Sequence, residues 1–66
     1  MDKSAALALI EKEAKEIERL SHLLLEKLGP NVTDNKGRHF LLSGCVGLGK
    51  AAKEINDIVN TLRGEL

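Results

Sequence analysis

The chain is predicted to be an all-α antiparallel hairpin of two long helices, and three observations lead there. Residues 3–28 contain neither glycine nor proline and are rich in Ala, Leu, Glu and Lys, residues that lose little on entering a helix. Apolar residues recur at alternating steps of three and four in both halves of the chain, the period of a helix face rather than of a strand. Between the halves, "PNVTDNKG" at 30–37 gathers Pro, Asn, Asp and Gly, each of which favours a turn for its own reason.

The first helix is expected over about 3–28. Leu7, Ile10, Ala14, Ile17, Ser21, Leu24 and Leu28 form a heptad seam, the pattern of a helix packed in a bundle or coiled coil. Leu20 flanks this seam. The opposite face carries Glu11, Lys15, Glu18, His22 and Glu26. Glu11 precedes Lys15 by four residues, the order in which such a pair adds roughly 0.3 kcal/mol. Gly29 and Pro30 should end the helix, the glycine by accepting a left-handed cap and the proline by refusing to continue. A connector over about 29–37 follows.

The second helix is expected over about 38–63, and its first half is the difficult part. Ala52, Ile55, Val59 and Leu62 form a clear stripe with Ile58 beside it, while Lys50–Glu54 and Lys53–Asp57 have the spacing of i,i+4 ion pairs. Upstream, however, stands "HFLLSGCVGLGKAA", residues 39–52. Over Gly44-x-x-x-x-Gly49-Lys50 it resembles the phosphate-binding loop of nucleotide hydrolases. That loop needs Ser or Thr after its lysine to hold magnesium, and Ala51 stands there. It also needs a parallel sheet, whose crossovers the remaining chain cannot build.

Extending the stripe backwards gives a better account. Leu41, Cys45, Leu48, Ala52, Ile55, Val59 and Leu62 keep the alternation of four and three without a break. One continuous helix is therefore expected, with a break between Ser43 and Gly49, capped by Ser43, as the alternative. Three interior glycines cost such a helix about 3 kcal/mol relative to alanine. Gly44, Gly47 and Ala51 share one flank, where bare backbone would admit another helix or a side chain such as Leu23 or Leu25.

Two long helices with a short connector fold back on each other. Pairing seam positions outward from the turn sets Leu24 against Leu41, Ser21 against Cys45, Ile17 against Leu48, Ala14 against Ala52, Ile10 against Ile55 and Leu7 against Val59. Large and small layers then alternate. The flanking Leu9, Leu20, Leu23, Phe40, Leu42 and Ile58 add to an apolar patch that a hairpin leaves wet, and patches of that kind mark interaction surfaces. A two-fold homodimer forming a four-helix bundle is the simplest closure; helices of another protein are the other. The seam residues, together with Leu20 and Ile58, are the expected interface.

Size and composition narrow the function. At 66 residues a monomer hides only about 60% of its unfolded surface and needs a staple or a partner. The single cysteine, Cys45, excludes an internal disulfide. His22, His39 and Cys45 lack the spacing of a metal site, so no metal or cofactor is expected. Ten basic residues balance ten acidic ones, leaving no field that draws the chain to nucleic acid. No apolar run approaches the ~20 residues of a membrane span, and the N-terminus lacks a signal-peptide pattern, so a cytoplasmic protein is expected.

Cys45 sits on the seam, where thiols act as small apolar residues, and no base–orienter pair accompanies it, so no enzyme is expected. The expected function is that of a small protein-interaction module: a regulator, adaptor or chaperone-like subunit. The alternative is a dimeric RNA- or DNA-binding regulator, because the chain resembles small RNA-modulating hairpin dimers in size and periodicity. A nucleotide-binding protein comes third.

Overall fold

A computed structural model of the chain describes residues 1–65. The single domain expected over 1–66 thus extends one residue beyond what is described. Helix α1 runs Lys3–Leu28, a 3₁₀ turn occupies Gly29–Asn31, and helix α2 runs Asn35–Gly64. The two helices pack side by side as an antiparallel hairpin, with no strand among the described residues. This is the all-α fold that the periodicity predicts.

Helix α1 starts where Asp2 caps it. The Asp2 carboxylate accepts from the Ala5 N–H at 2.7 Å, satisfying one of the orphaned donors of the first turn. Its C-terminus differs from expectation. Gly29 is not left-handed: its φ and ψ of −50° and −48° continue the right-handed coil. The chain tightens instead into the 3₁₀ turn, with Pro30 early in it and the Val32 N–H donating to the Leu28 carbonyl at 3.1 Å. Proline lacks the N–H that another helical turn would require, so it ends the helix without help from a special glycine conformation.

Helix α2 begins earlier than expected, within what the turn chemistry assigns to the connector. The Asp34 carboxylate accepts from the Gly37 N–H at 2.8 Å and caps the helix. A Cβ on residue 37 would stand 2.7 Å from Asp34 Oδ1 and 2.8 Å from Val32 Cγ1. Glycine is therefore what leaves room for this cap. Arg38 reinforces the turn by donating to the Val32 carbonyl at 3.4 Å.

The helix then runs unbroken through Gly44, Gly47 and Gly49, so Ser43 caps nothing. The expected close approach of Leu23 or Leu25 to the glycines is absent. No atom lies within 4 Å of the place a Cβ would take on Gly44, Gly47 or Gly49. Within the hairpin these positions have no steric need to be glycine. Their ~1 kcal/mol apiece is offset by the packing of their neighbours Leu41, Cys45, Ala52 and Ile55 toward α1.

The seam itself is narrow. Leu7, Ala14 and Ser21 are buried on α1, and Cys45, Ala52 and Val59 on α2, every seventh residue on each helix. Most of these side chains are small, which lets the two backbones approach closely. Ser21 is satisfied locally, its hydroxyl donating to the Glu18 carbonyl at 2.7 Å. The remaining seam positions, which the heptad alone makes equivalent to these, do not enter the core. Ile17, Leu24, Leu41 and Ile55 are half-buried, while Ile10, Leu28, Leu48 and Leu62 are exposed. The expected alternation of large and small layers gives way to two kinds of row, one of small inward residues and one of large outward residues.

Candidate interaction surface

The outward rows share one side of the hairpin. At about 100° per residue, Ile10, Ile17 and Leu24 turn about 60° away from the buried line of α1. Leu48, Ile55 and Leu62 stand in the same relation to the buried line of α2. Because the helices are antiparallel, equal turns on each bring both rows to the same side. One contact fixes that handedness. Glu11 and Arg63, each four residues after a buried position, meet across the hairpin on the opposite side at 2.7 Å.

That ion pair also shows how the ends interlock. Helical side chains tilt toward their own N-terminus, so Glu11 leans toward the open end while Arg63 leans back toward the turn. The Arg63 guanidinium, by its hydrogen bond and its charge, holds the Glu11 carboxyl below the usual carboxylate range, and Lys15 at 3.6 Å adds to the effect. The pairs expected on α2, Lys50–Glu54 and Lys53–Asp57, do not form among the described residues.

The side that carries the ion pair is mixed in character. Glu18, Ser21, His22 and Leu25 of α1 face Leu42, Cys45, Val46, Gly49, Lys53 and Asn56 of α2 across an open groove. The Asn56 side-chain oxygen is buried there without a hydrogen-bond partner. Near the turn, a smaller hollow is lined by Leu25, Pro30, Arg38, Leu41 and Leu42. These shared linings set Ser21 beside Cys45 and Leu25 beside Leu41 and Leu42.

The other side is apolar throughout its two rows: Ile10, Ile17 and Leu24 on α1, and Leu41, Leu48, Ile55 and Leu62 on α2. Its edges are less uniform, since Glu13 and Lys27 share the flank of Leu20 on α1. Leu20 is exposed beside the α1 row, and Gly44, Ala51 and Ile58 lie beside the α2 row. Phe40, the chain's one aromatic residue, stands on the outer flank of α2 and is 82% exposed, and Ile58 is 58% exposed. The hairpin as a whole extends 49 Å by 16 Å by 13 Å between Cα atoms.

The expected interface residues therefore separate into two groups. Leu7, Ala14, Cys45, Ala52 and Val59 hold the two helices of one chain together. Ile10, Ile17, Leu20, Leu24, Leu41, Leu48, Ile55, Ile58 and Leu62 lie partly or largely open on the apolar side. The heptad alone does not separate them; residue size at the repeating positions does, since Ala14, Ser21, Cys45 and Ala52 occupy one row.

Other chemistries find little to build on. Gly44 to Lys50 lie in helix interior, where backbone N–H groups are engaged along the helix rather than free to cradle a phosphate. His39 precedes Cys45 by six residues on the same helix, about 9 Å along its axis, and the thiol is buried. Among the described residues no three His, Cys, Asp or Glu side chains converge as metal ligands. Among the described residues no helix is long and apolar enough to cross a membrane.

Neither a known protein family, nor a curated protein, nor a solved structure matches the chain.

Proposed function

We propose that this protein is a small non-enzymatic interaction module whose apolar side closes against a second copy of the chain as a four-helix bundle. One observation carries the reading: the large apolar residues of both heptads point out of the hairpin on one side, where no charged residue interrupts either row. Leaving an apolar strip of that length in water is unfavourable, and ~25 cal/mol is recovered for each Å² covered. The hairpin's own core offers little in exchange, since Leu7 and Val59 are the only large side chains buried in it among the described residues. Assembly supplies the missing burial.

The apolar character of the two rows supports a second copy as their cover. At 1.5 Å per residue the α2 row from Leu41 to Leu62 runs about 32 Å along its helix, long enough to lie along a second hairpin. Homodimer interfaces are also the more apolar class. A bundle of this kind, located in the cytoplasm, would act as a regulator, adaptor or chaperone-like subunit through what its outer surface recruits.

Sedimentation equilibrium of the isolated chain tests the reading. It should return twice the chain mass at micromolar concentration. Leu48→Lys should return a single chain mass with a helical circular-dichroism spectrum, because Leu48 is exposed in the hairpin but covered in the bundle. A wild-type chain that stays monomeric and fully helical into the high micromolar range removes the proposal. Binding of RNA or DNA that weakens steeply with salt would transfer the reading to a nucleic-acid regulator.

A further inference from the structure

We propose a ligand site that does not depend on the dimer: the hollow at the closed end of the hairpin binds a short-chain carboxylate, with its head on Arg38 and its tail among Leu25, Pro30, Leu41 and Leu42. The hollow measures about 360 Å³, and Gly29 completes its lining. It lies where the core runs out. The buried row of α2, Val59, Ala52 and Cys45, reaches position 38 at its next step of seven, and Arg38 stands there. The buried row of α1, Leu7, Ala14 and Ser21, reaches Leu28, which is exposed. An unpaired guanidinium cannot be closed inside an apolar layer without a large desolvation cost, so this last layer stays open. Leu25 and Leu42 also line the groove on the side of the ion pair, which leaves the hollow accessible when the apolar side is covered.

Charge complementarity selects the head of the ligand. Arg38 reaches the Val32 carbonyl at 3.4 Å, longer than an N–H···O hydrogen bond usually is. Among the described residues no carboxylate lies within 4 Å of its guanidinium. The negative groups around it are already engaged. The Asp34 carboxylate accepts from the Gly37 N–H at 2.8 Å, and Glu26 lies 4.0 Å from Lys27. The carbonyls that end α1 accept from Gly29, Asn31 and Val32. What remains unmatched is a planar fork of donors, which holds a carboxylate by two parallel hydrogen bonds. The walls select the tail. Apolar side chains with one charged group at the rim are the composition of a small-molecule site, and this volume stands near the lower end of the ~300–1,000 Å³ that such sites occupy. A short acyl chain therefore suits the hollow better than a long one.

Octanoate titrated into the isotope-labelled full chain, followed by nuclear magnetic resonance, tests the site. The backbone amides of Leu25, Gly29, Leu41 and Leu42 should shift and saturate, and octanol should bind roughly tenfold more weakly or worse. Arg38→Gln should raise the octanoate dissociation constant by a similar factor with an unchanged helical spectrum, because Arg38 is exposed. Arg19→Gln, an exposed arginine away from the hollow, should leave the constant as it is. Should Arg38→Gln fail to fold, the comparison of octanoate with octanol on the wild-type chain decides alone. Octanol that binds as tightly as octanoate overturns the proposal, and so does a folded Arg38→Gln chain that binds octanoate normally. Shifts that fall on Ile10, Ile55 and Leu62 instead show adsorption to the apolar side and overturn it too. So does a titration that never saturates below the concentration at which octanoate self-associates. None of these outcomes alters the sedimentation of the chain, so the interaction-module reading stands or falls separately.

Discussion

The two sides of this hairpin are built from the same seam and differ by one step along each helix. Three residues after each buried position lies an apolar side chain: Ile10, Ile17 and Leu24 on α1, Leu48, Ile55 and Leu62 on α2. Four residues after lies a mixed set: Glu11, Glu18 and Leu25 on α1, Gly49, Asn56 and Arg63 on α2. One side presents two uncharged apolar rows, whereas the other carries an ion pair and a groove. A heptad thus does two jobs in this chain. Its small row makes the hairpin and its large row makes the surface.

The comparison can be broken most forcefully at the seam that separates the sides. Ala52→Leu should push the helices apart and cost about 1–3 kcal/mol, as overpacking of a tight core does. Urea denaturation would read this as a lower midpoint with little change in slope. Next comes the apolar side itself, where Leu48→Lys should abolish assembly while Asn56→Lys on the other side should leave the oligomeric mass unchanged.

A smaller effect contrasts glycines on the two sides. Gly49 faces the groove with open space around it, so Gly49→Ala should stabilise the protein by about 1 kcal/mol, roughly 4–8 °C in melting temperature. Gly44→Ala gains the same helix propensity on the apolar side, so in a dimer closed over that side its net gain should fall below that of Gly49→Ala. Gly37→Ala should lower stability, because the new methyl group would strike Asp34 and Val32 and disturb the cap.

The smallest effect belongs to the ion pair. Arg63 lowers the Glu11 pKa, so this carboxylate contributes stability that is fully present above its unfolded pKa and is lost as pH falls through its lowered folded value. Acid titration of melting temperature should show a slight loss there. Glu11→Gln should flatten that part of the profile, and high salt should do likewise, as expected for an exposed pair.

Much of this architecture is legible in the sequence. The unbroken steps of four and three from Leu41 to Leu62 carry α2 through its glycines despite their poor propensity. Pro30 marks the end of α1 unambiguously. The start of α2 is harder to read, because Asn35, Lys36 and Gly37 look like turn residues until Asp34 is seen to cap them. The sorting of the heptad into inward and outward rows is harder still. Both rows have the same period, and only the coincidence of Ala14 and Ser21 with Cys45 and Ala52 distinguishes them. The Glu11–Arg63 contact has no sequence signal at all, since it joins residues that only the register of the hairpin brings together.

Cys45 gives this geometry an experimental handle. Its side chain is all but buried between the arms, so a reagent such as a nitrobenzoate disulfide should react with it mainly when the two arms part. The rate at which the thiol reacts becomes a clock for that parting. Run across a range of protein concentrations, the clock should slow as copies associate, reporting on folding and assembly from a single unmodified side chain.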